Sequence, residues 1–245
     1  MAFSASTPFG SRDVVDMIFY DYATKKPAMY LDYANASTLS LNGETVFAYG
    51  GRSHPKRIGF SGDRSAQLKL ETQLTTMQLY NVVMGGVLSE SGNYAKRKVL
   101  TATASGLDIG ETIVANSVYV YPKDDDCGTQ IDSLTVTGSV ITADDITADS
   151  QYIVYYMVSK TSGVHKISLN GSSFPKEYII HGYTTQRDEA GVDHSMRLVA
   201  YKVLAQPAME IGYSSTGDPQ TFSITFDLEQ DENKDLLDLI TVDNE

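Results

Sequence analysis

Residues 46–86 constrain the fold most, because the chain changes its hydrophobic period inside them. Val46, Ala48 and Gly50 alternate with Phe47 and Tyr49, and Gly50-Gly51 interrupts the run. Alternation resumes over 58–71, with Ala66, Leu68 and Leu70 on one face opposite Gln67, Lys69 and Glu71. From Leu74 the period lengthens to that of a helix: Leu74, Met77, Tyr80, Val83 and Met84 share a stripe that Gly85-Gly86 ends. The expectation is one α-helix, about residues 74–85, flanking a scaffold of strands.

The remaining chain supplies those strands. Residues 14–22 and 27–33 are aromatic-rich runs joined by the polar Ala23-Thr24-Lys25-Lys26, a hairpin pattern. A second hairpin is expected about Asn42-Gly43, between 38–41 and 44–49, because Asn-Gly suits a two-residue type I′ turn. Further strands are expected at 94–104, 112–121, 134–142, 152–160, 164–169, 178–183, 196–205, 209–214 and 221–228. Turn-formers such as Asp124-Asp125-Asp126-Cys127-Gly128, Asn170-Gly171-Ser172-Ser173 and Thr216-Gly217-Asp218-Pro219 separate them. Short strands at this spacing mean an antiparallel β-sandwich or barrel rather than βαβ units. Residues 1–13 read as a loose N-terminal arm and 14–245 as a single β-rich domain. Within the latter, 229–245 form an acidic C-terminal segment whose Leu236, Leu237, Leu239 and Ile240 suggest one short helical turn.

A chain of 245 residues buries about 70–75% of its unfolded surface and needs no covalent staple. Cys127 stands alone, so an internal disulfide is impossible; surrounded by acids rather than by a base, it reads as a loop-edge residue. No apolar run is long enough to cross a membrane as a helix, and the N-terminal residues lack a secretory pattern. Use in a cytoplasm, or in a particle built there, is the expectation. The net charge of −12 is uneven: residues 1–110 carry 11 basic and 9 acidic side chains, 111–226 carry 7 and 14, and 227–245 carry 1 and 8. A protein that gripped phosphates would need the opposite balance.

Catalytic and metal-binding patterns are missing. His54, His165, His181 and His194 have no ligand spacing. The cluster at 124–126 starts like a calcium loop but has Thr129 where glycine is required and Thr135 where the terminal glutamate belongs. Neither GxSxG nor GxGxxG occurs. No catalytic residue, metal ligand or cofactor is therefore assigned, and the chain is not expected to be an enzyme.

What remains is surface for contact. In the first hairpin Met17, Phe19 and Tyr20, and opposite them Met29, Tyr30 and Leu31, leave apolar groups needing cover on more than one face. Arg52, Lys56, Arg57 and Arg64 form a cationic set able to meet the acidic segments of an adjacent copy. These ten residues are the expected subunit interface.

The Ile58-Gly59-Phe60-Ser61-Gly62-Asp63-Arg64 strand, the Leu68-Lys69-Leu70-Glu71-Thr72-Gln73 strand, one helix and its Gly-Gly stop follow a long hairpin. Together with a close through Gly217-Asp218-Pro219 and a strand ending in Phe226-Asp227-Leu228-Glu229, this arrangement resembles the tail tube (major tail) protein family of bacteriophages, over roughly residues 14–104 and 196–240. The resemblance implies a β-sandwich or barrel flanked by one helix. It also implies six subunits in a ring, sheets joined between neighbours, and rings stacked into a virion tube through which double-stranded DNA leaves. The implied partners are copies of the chain itself, other tail proteins and DNA that passes without specific binding, with assembly in the host cytoplasm and no membrane insertion. Residues 111–195 exceed the minimal family and read as an elaboration. Lumen carboxylates would repel a duplex carrying one charge per about 1.7 Å. The other reading is a β-sandwich binding or decoration module for carbohydrate or a receptor, which the tyrosines permit and the absence of tryptophan disfavours.

Overall fold

A computed structural model describes residues 6–208 and 210–242. Its strands are β1 (Phe9–Ser11), β2 (Asp16–Asp21), β3 (Pro27–Leu31), β4 (Ala36–Tyr49) and β5 (Lys56–Thr72), followed by helix α1 (Met77–Met84). Then come β6 (Val87–Ser89), β7 (Gly92–Thr101), β8 (Leu107–Asp108), β9 (Tyr119–Pro122), β10 (Thr135–Thr137), β11 (Val140–Thr142), β12 (Gln151–Lys160) and β13 (Lys166–Ser168). The last are β14 (Glu177–Asp188), β15 (Asp193–Ala205), β16 (Phe222–Leu228) and β17 (Leu237–Val242). The protein is mainly β, with antiparallel pairing and one helix, as the alternation required. It divides into two compact units, Met1–Val87 with Leu169–Glu245, and Leu88–Ser168. The stretch 111–195 is shared between them.

The first unit is a nine-stranded sheet in the order β3-β2-β14-β15-β16-β5-β4, with β1 added to β14 and β17 added to β15. It folds around one core. Met17 and Phe19 of β2, Met29 and Leu31 of β3, Leu68 and Leu70 of β5, Ile180 of β14 and Phe226 of β16 meet there with Leu79, Val82 and Val83 of α1. The alternation of β5 and β16 puts every second residue inward, each side chain of this size contributing about 1.5–3 kcal/mol through burial. Thr76 caps the helix N-terminus, its hydroxyl accepting the Leu79 N–H at 3.1 Å. Gly85, at φ +67°, closes the other end by donating its N–H to the Asn81 carbonyl at 2.9 Å. The buried stripe is Leu79, Val82 and Val83, rather than the expected one. The helix starts only at Met77, which leaves Leu74 outside it and exposed.

Four local expectations are corrected. Asn42-Gly43 is no turn: β4 runs through it, Asn42 pairing with Ser65 and Gly43 with Arg64, and the irregularity is a bulge between Gly43 and Thr45. The reversal falls after Tyr49, with Gly51 and His54 at positive φ. The helical turn expected after Asp227 is instead strand β17, which pairs with β15 from Leu237↔Ala200 to Val242↔Ser195. Part of the N-terminal arm is fixed, since β1 pairs with the end of β14 through Gly10↔Arg187; residues 1–5 lie outside the described residues. The strand expected at 209–214 is also missing from 210–214, while Met209 lies outside the described residues.

In the second unit β12 lies between β7 and β9, and β10, β11 and β8 form a smaller sheet. Val154, Tyr156 and Val158 of β12 join Leu107, Val120 and Ile141 in its core. Its one half-buried charge cluster is satisfied from within: Glu111 accepts from Lys96 at 2.5 Å and from the Tyr156 hydroxyl at 2.9 Å.

Candidate assembly interface

The structure separates the ten expected interface residues into two groups at opposite ends of the strand order. Met17, Phe19, Tyr20, Met29, Tyr30 and Leu31 lie on β2 and β3, and Arg52, Lys56, Arg57 and Arg64 on or beside β4 and β5. Within the first group, Met17, Phe19, Met29 and Leu31 are buried in their own unit's core and present nothing to a neighbour. Tyr30 is 48% exposed, and Tyr20 is half-buried with its ring 5.2 Å from that of His181. The Tyr30 hydroxyl is hydrogen-bonded to that of Tyr183, which also feels Asp16; these contacts push the Tyr183 phenol far above its ordinary range. Burial lowers the pKa of His181.

The cations belong to a projecting ribbon. No residue from 42 to 65 is buried, whereas β5 is anchored in the core from Ala66 onward. Lys56 lies ten residues before Ala66, so at about 3.3 Å per residue the ribbon reaches roughly 30 Å beyond its root. Its two faces differ. Val46 pairs with Phe60 and Ala48 with Ile58 on one face, where Val46, Ile58 and Phe60 are 54%, 56% and 55% exposed. On the other, Phe47 pairs with Gly59 and the Lys56 ammonium sits 4.1 Å above the Phe47 ring. The guanidinium groups of Arg52, Arg57 and Arg64 form no ion pair with the described residues.

The ribbon's root adjoins the acidic segment. Leu228, the end of β16, pairs with Ala66, and the chain then turns through 229–236 into β17. Asp231 shapes that turn by accepting the N–H groups of Asn233 at 2.9 Å and Asp235 at 2.8 Å. Glu229 and Glu177 hold Lys202 at 2.9 and 3.0 Å and raise its pKa. Asp238 accepts from the Tyr201 hydroxyl at 2.6 Å, which pushes that phenol up to about 12. The carboxylates of Glu232 and Asp235 have no side-chain partner among the described residues. Among the described residues β17 pairs with β15 alone, and Leu239 and Ile240 are exposed on it.

Sequence reasoning placed the cations on one element but missed Val46, Ile58 and Phe60 as contact surface. Those residues alternate as core strands do, and only the end of the pairing with β16 at Ala66 shows that nothing covers them.

Open sheet edges, a ribbon outside the core and charges of both signs without partners among the described residues are the surface this fold leaves for contact. The chain matches the YomU/Tube protein family over residues 9–242 and belongs to that family, one of phage tail tube proteins. This makes it a bacteriophage virion structural protein of the tail tube class. No curated protein was found to match it.

Proposed function

We propose that the chain is the repeating subunit of a phage tail tube, six copies closing into a ring and rings stacking into a conduit for double-stranded DNA. The observation that carries this reading is the ribbon: Val46, Ile58 and Phe60 form an apolar face on a two-stranded element that is only marginally stable alone. A second copy supplies the cover it lacks. β3 at one end of the strand order and β4 at the other offer open edges for lateral pairing, which a closed ring consumes. Tyr20 and Tyr30 are the lateral contacts on β2 and β3, while Met17, Phe19, Met29 and Leu31 hold that hairpin rigid from beneath. The acidic surplus lines the conduit, where like charge keeps DNA from binding. The unit Leu88–Ser168 is an elaboration of the tube domain rather than part of the ring contact.

Negative-stain microscopy and light scattering of the purified chain test this. Rings or tubes are expected, and Val46→Asp with Phe60→Asp should abolish stacking while Tyr30→Asp weakens rings. A sample that stays monomeric at high concentration overturns the proposal.

A further inference from the structure

Three of the ribbon's cations lie at its tip, and the acidic turn follows β16 beside its root. Arg52, Lys56 and Arg57 cluster at the tip, with no acidic side chain between 50 and 60. Glu232 and Asp235 lie in the turn that follows Leu228, whose partner Ala66 marks the root of the ribbon. Arg52 and Arg57 form no ion pair with Glu232 or Asp235, or with any other side chain, among the described residues. Complementary, non-identical patches can join successive copies head to tail, the arrangement that a stacked tube requires and a reciprocal two-fold dimer does not extend.

We propose that the basic ribbon tip of one copy docks on the acidic turn 229–236 and the adjoining open edge of β17 in the next copy. This rests on the tube reading and names the partner surface of its ribbon. The chemistry matches at three points. Arg52 and Arg57 meet Glu232 and Asp235, the side chains left unpaired on each side. The apolar face of Val46, Ile58 and Phe60 meets Leu239, exposed beyond the same turn, while Ile240, the next residue of β17, points to the opposite face. The unpaired backbone edge of the ribbon adds to that of β17, each otherwise an open template for strand addition. Asp231 and Asp238 keep their places in the turn and on Tyr201, so the docking carboxylates are presented by a fixed frame.

A charge swap tests the pairing. Arg52→Glu with Arg57→Glu, or Glu232→Lys with Asp235→Lys, should raise the concentration needed for stacking by roughly tenfold in about 50 mM salt, and combining all four should restore it to about the wild-type value. The difference should shrink in about 0.5 M salt. All four positions are exposed, so melting temperatures should match wild type. Reversals that stack like wild type, or a fourfold variant no better than either pair, overturn the proposal. Val46→Asp with Phe60→Asp separates the two readings. If it abolishes stacking while the charge reversals are silent, only the tip-to-turn pairing fails; if it too is silent, the ribbon is not the tube contact. Independently, Arg57→Cys with Asp235→Cys in a Cys127→Ser background should give a ladder of cross-linked copies on oxidation. No cross-link, or dimers alone, rules out head-to-tail docking.

Discussion

The Phe47 ring lies across the ladder from Gly59, so close that a Cβ built on Gly59 would stand 3.2 Å from Phe47 Cε1. The glycine leaves room for the ring, and the ring covers backbone that the glycine leaves bare. Gly59→Val should displace Phe47 and with it Lys56. Because no residue of the ribbon is buried, the melting temperature should change little while amide exchange across 44–61 accelerates and stacking weakens. Hydrogen exchange with a parallel thermal melt checks this.

Helix α1 is fixed at both ends by single residues. Thr76→Ala should cost about 1 kcal/mol through loss of the cap. Gly85→Ala should cost more, because the backbone is left-handed there and the new Cβ would fall 2.0 Å from the Phe174 carbonyl oxygen, a backbone atom that cannot step aside locally. Urea unfolding of the two variants should rank them in that order.

Phe226 and Phe19 pack with ring centroids 5.4 Å apart and are fully buried. Phe226→Ala should destabilise the first unit by about 3–5 kcal/mol, and Phe226→Leu by distinctly less, since it leaves a smaller cavity. Near-ultraviolet dichroism would follow the loss through the aromatic signal.

Acid should loosen the β14–β15 turn. Asp188 accepts the Val192 N–H at 2.8 Å and lies 3.2 Å from His194 Nε2, contacts that hold its carboxyl below the ordinary carboxylate range. A depressed folded value means that this stabilisation is complete above about pH 4, the ordinary value, and is lost as pH falls through the lower folded one. Asp188→Asn should therefore lower stability at neutral pH and flatten the acid limb of a stability profile.

Alkali should release the opposite kind of group. The Tyr201 phenol is pushed up to about 12 because its hydroxyl donates a hydrogen bond to the Asp238 carboxylate. A raised folded value gives stabilisation that is complete below about pH 10 and fades as pH rises through 12. Ultraviolet titration of Asp238→Asn should show one additional tyrosine ionising in the ordinary range.

The sequence showed those parts of the fold that depend on neighbours along the chain. The β2–β3 hairpin follows from two aromatic runs about a polar link, and Gly85 marks the end of α1 because only its backbone conformation is needed there. Long-range pairing was hidden. Asn42-Gly43 has the strongest local turn preference, yet β4 continues through it because pairing with β5 from Ala36↔Glu71 onward fixes the register on both sides. Likewise Leu237, Leu239 and Ile240 among acids suit a helical turn until β15 offers an edge, and nothing in the segment reveals that edge. At the interface, residue type separated apolar from charged groups but could not tell Phe19, which is buried, from Tyr30, which is not.

The ribbon also bears on when assembly starts. Residues 42–65 gain no core burial in a lone subunit, so the conformational entropy of holding them straight is not offset by burial within the chain. In the proposed stack, the first contact between two free copies would order two ribbons at once, whereas each later copy would join an end already held in place. That difference would favour growth from a preformed end over spontaneous nucleation, so free subunits would persist until an ordered surface is offered to them.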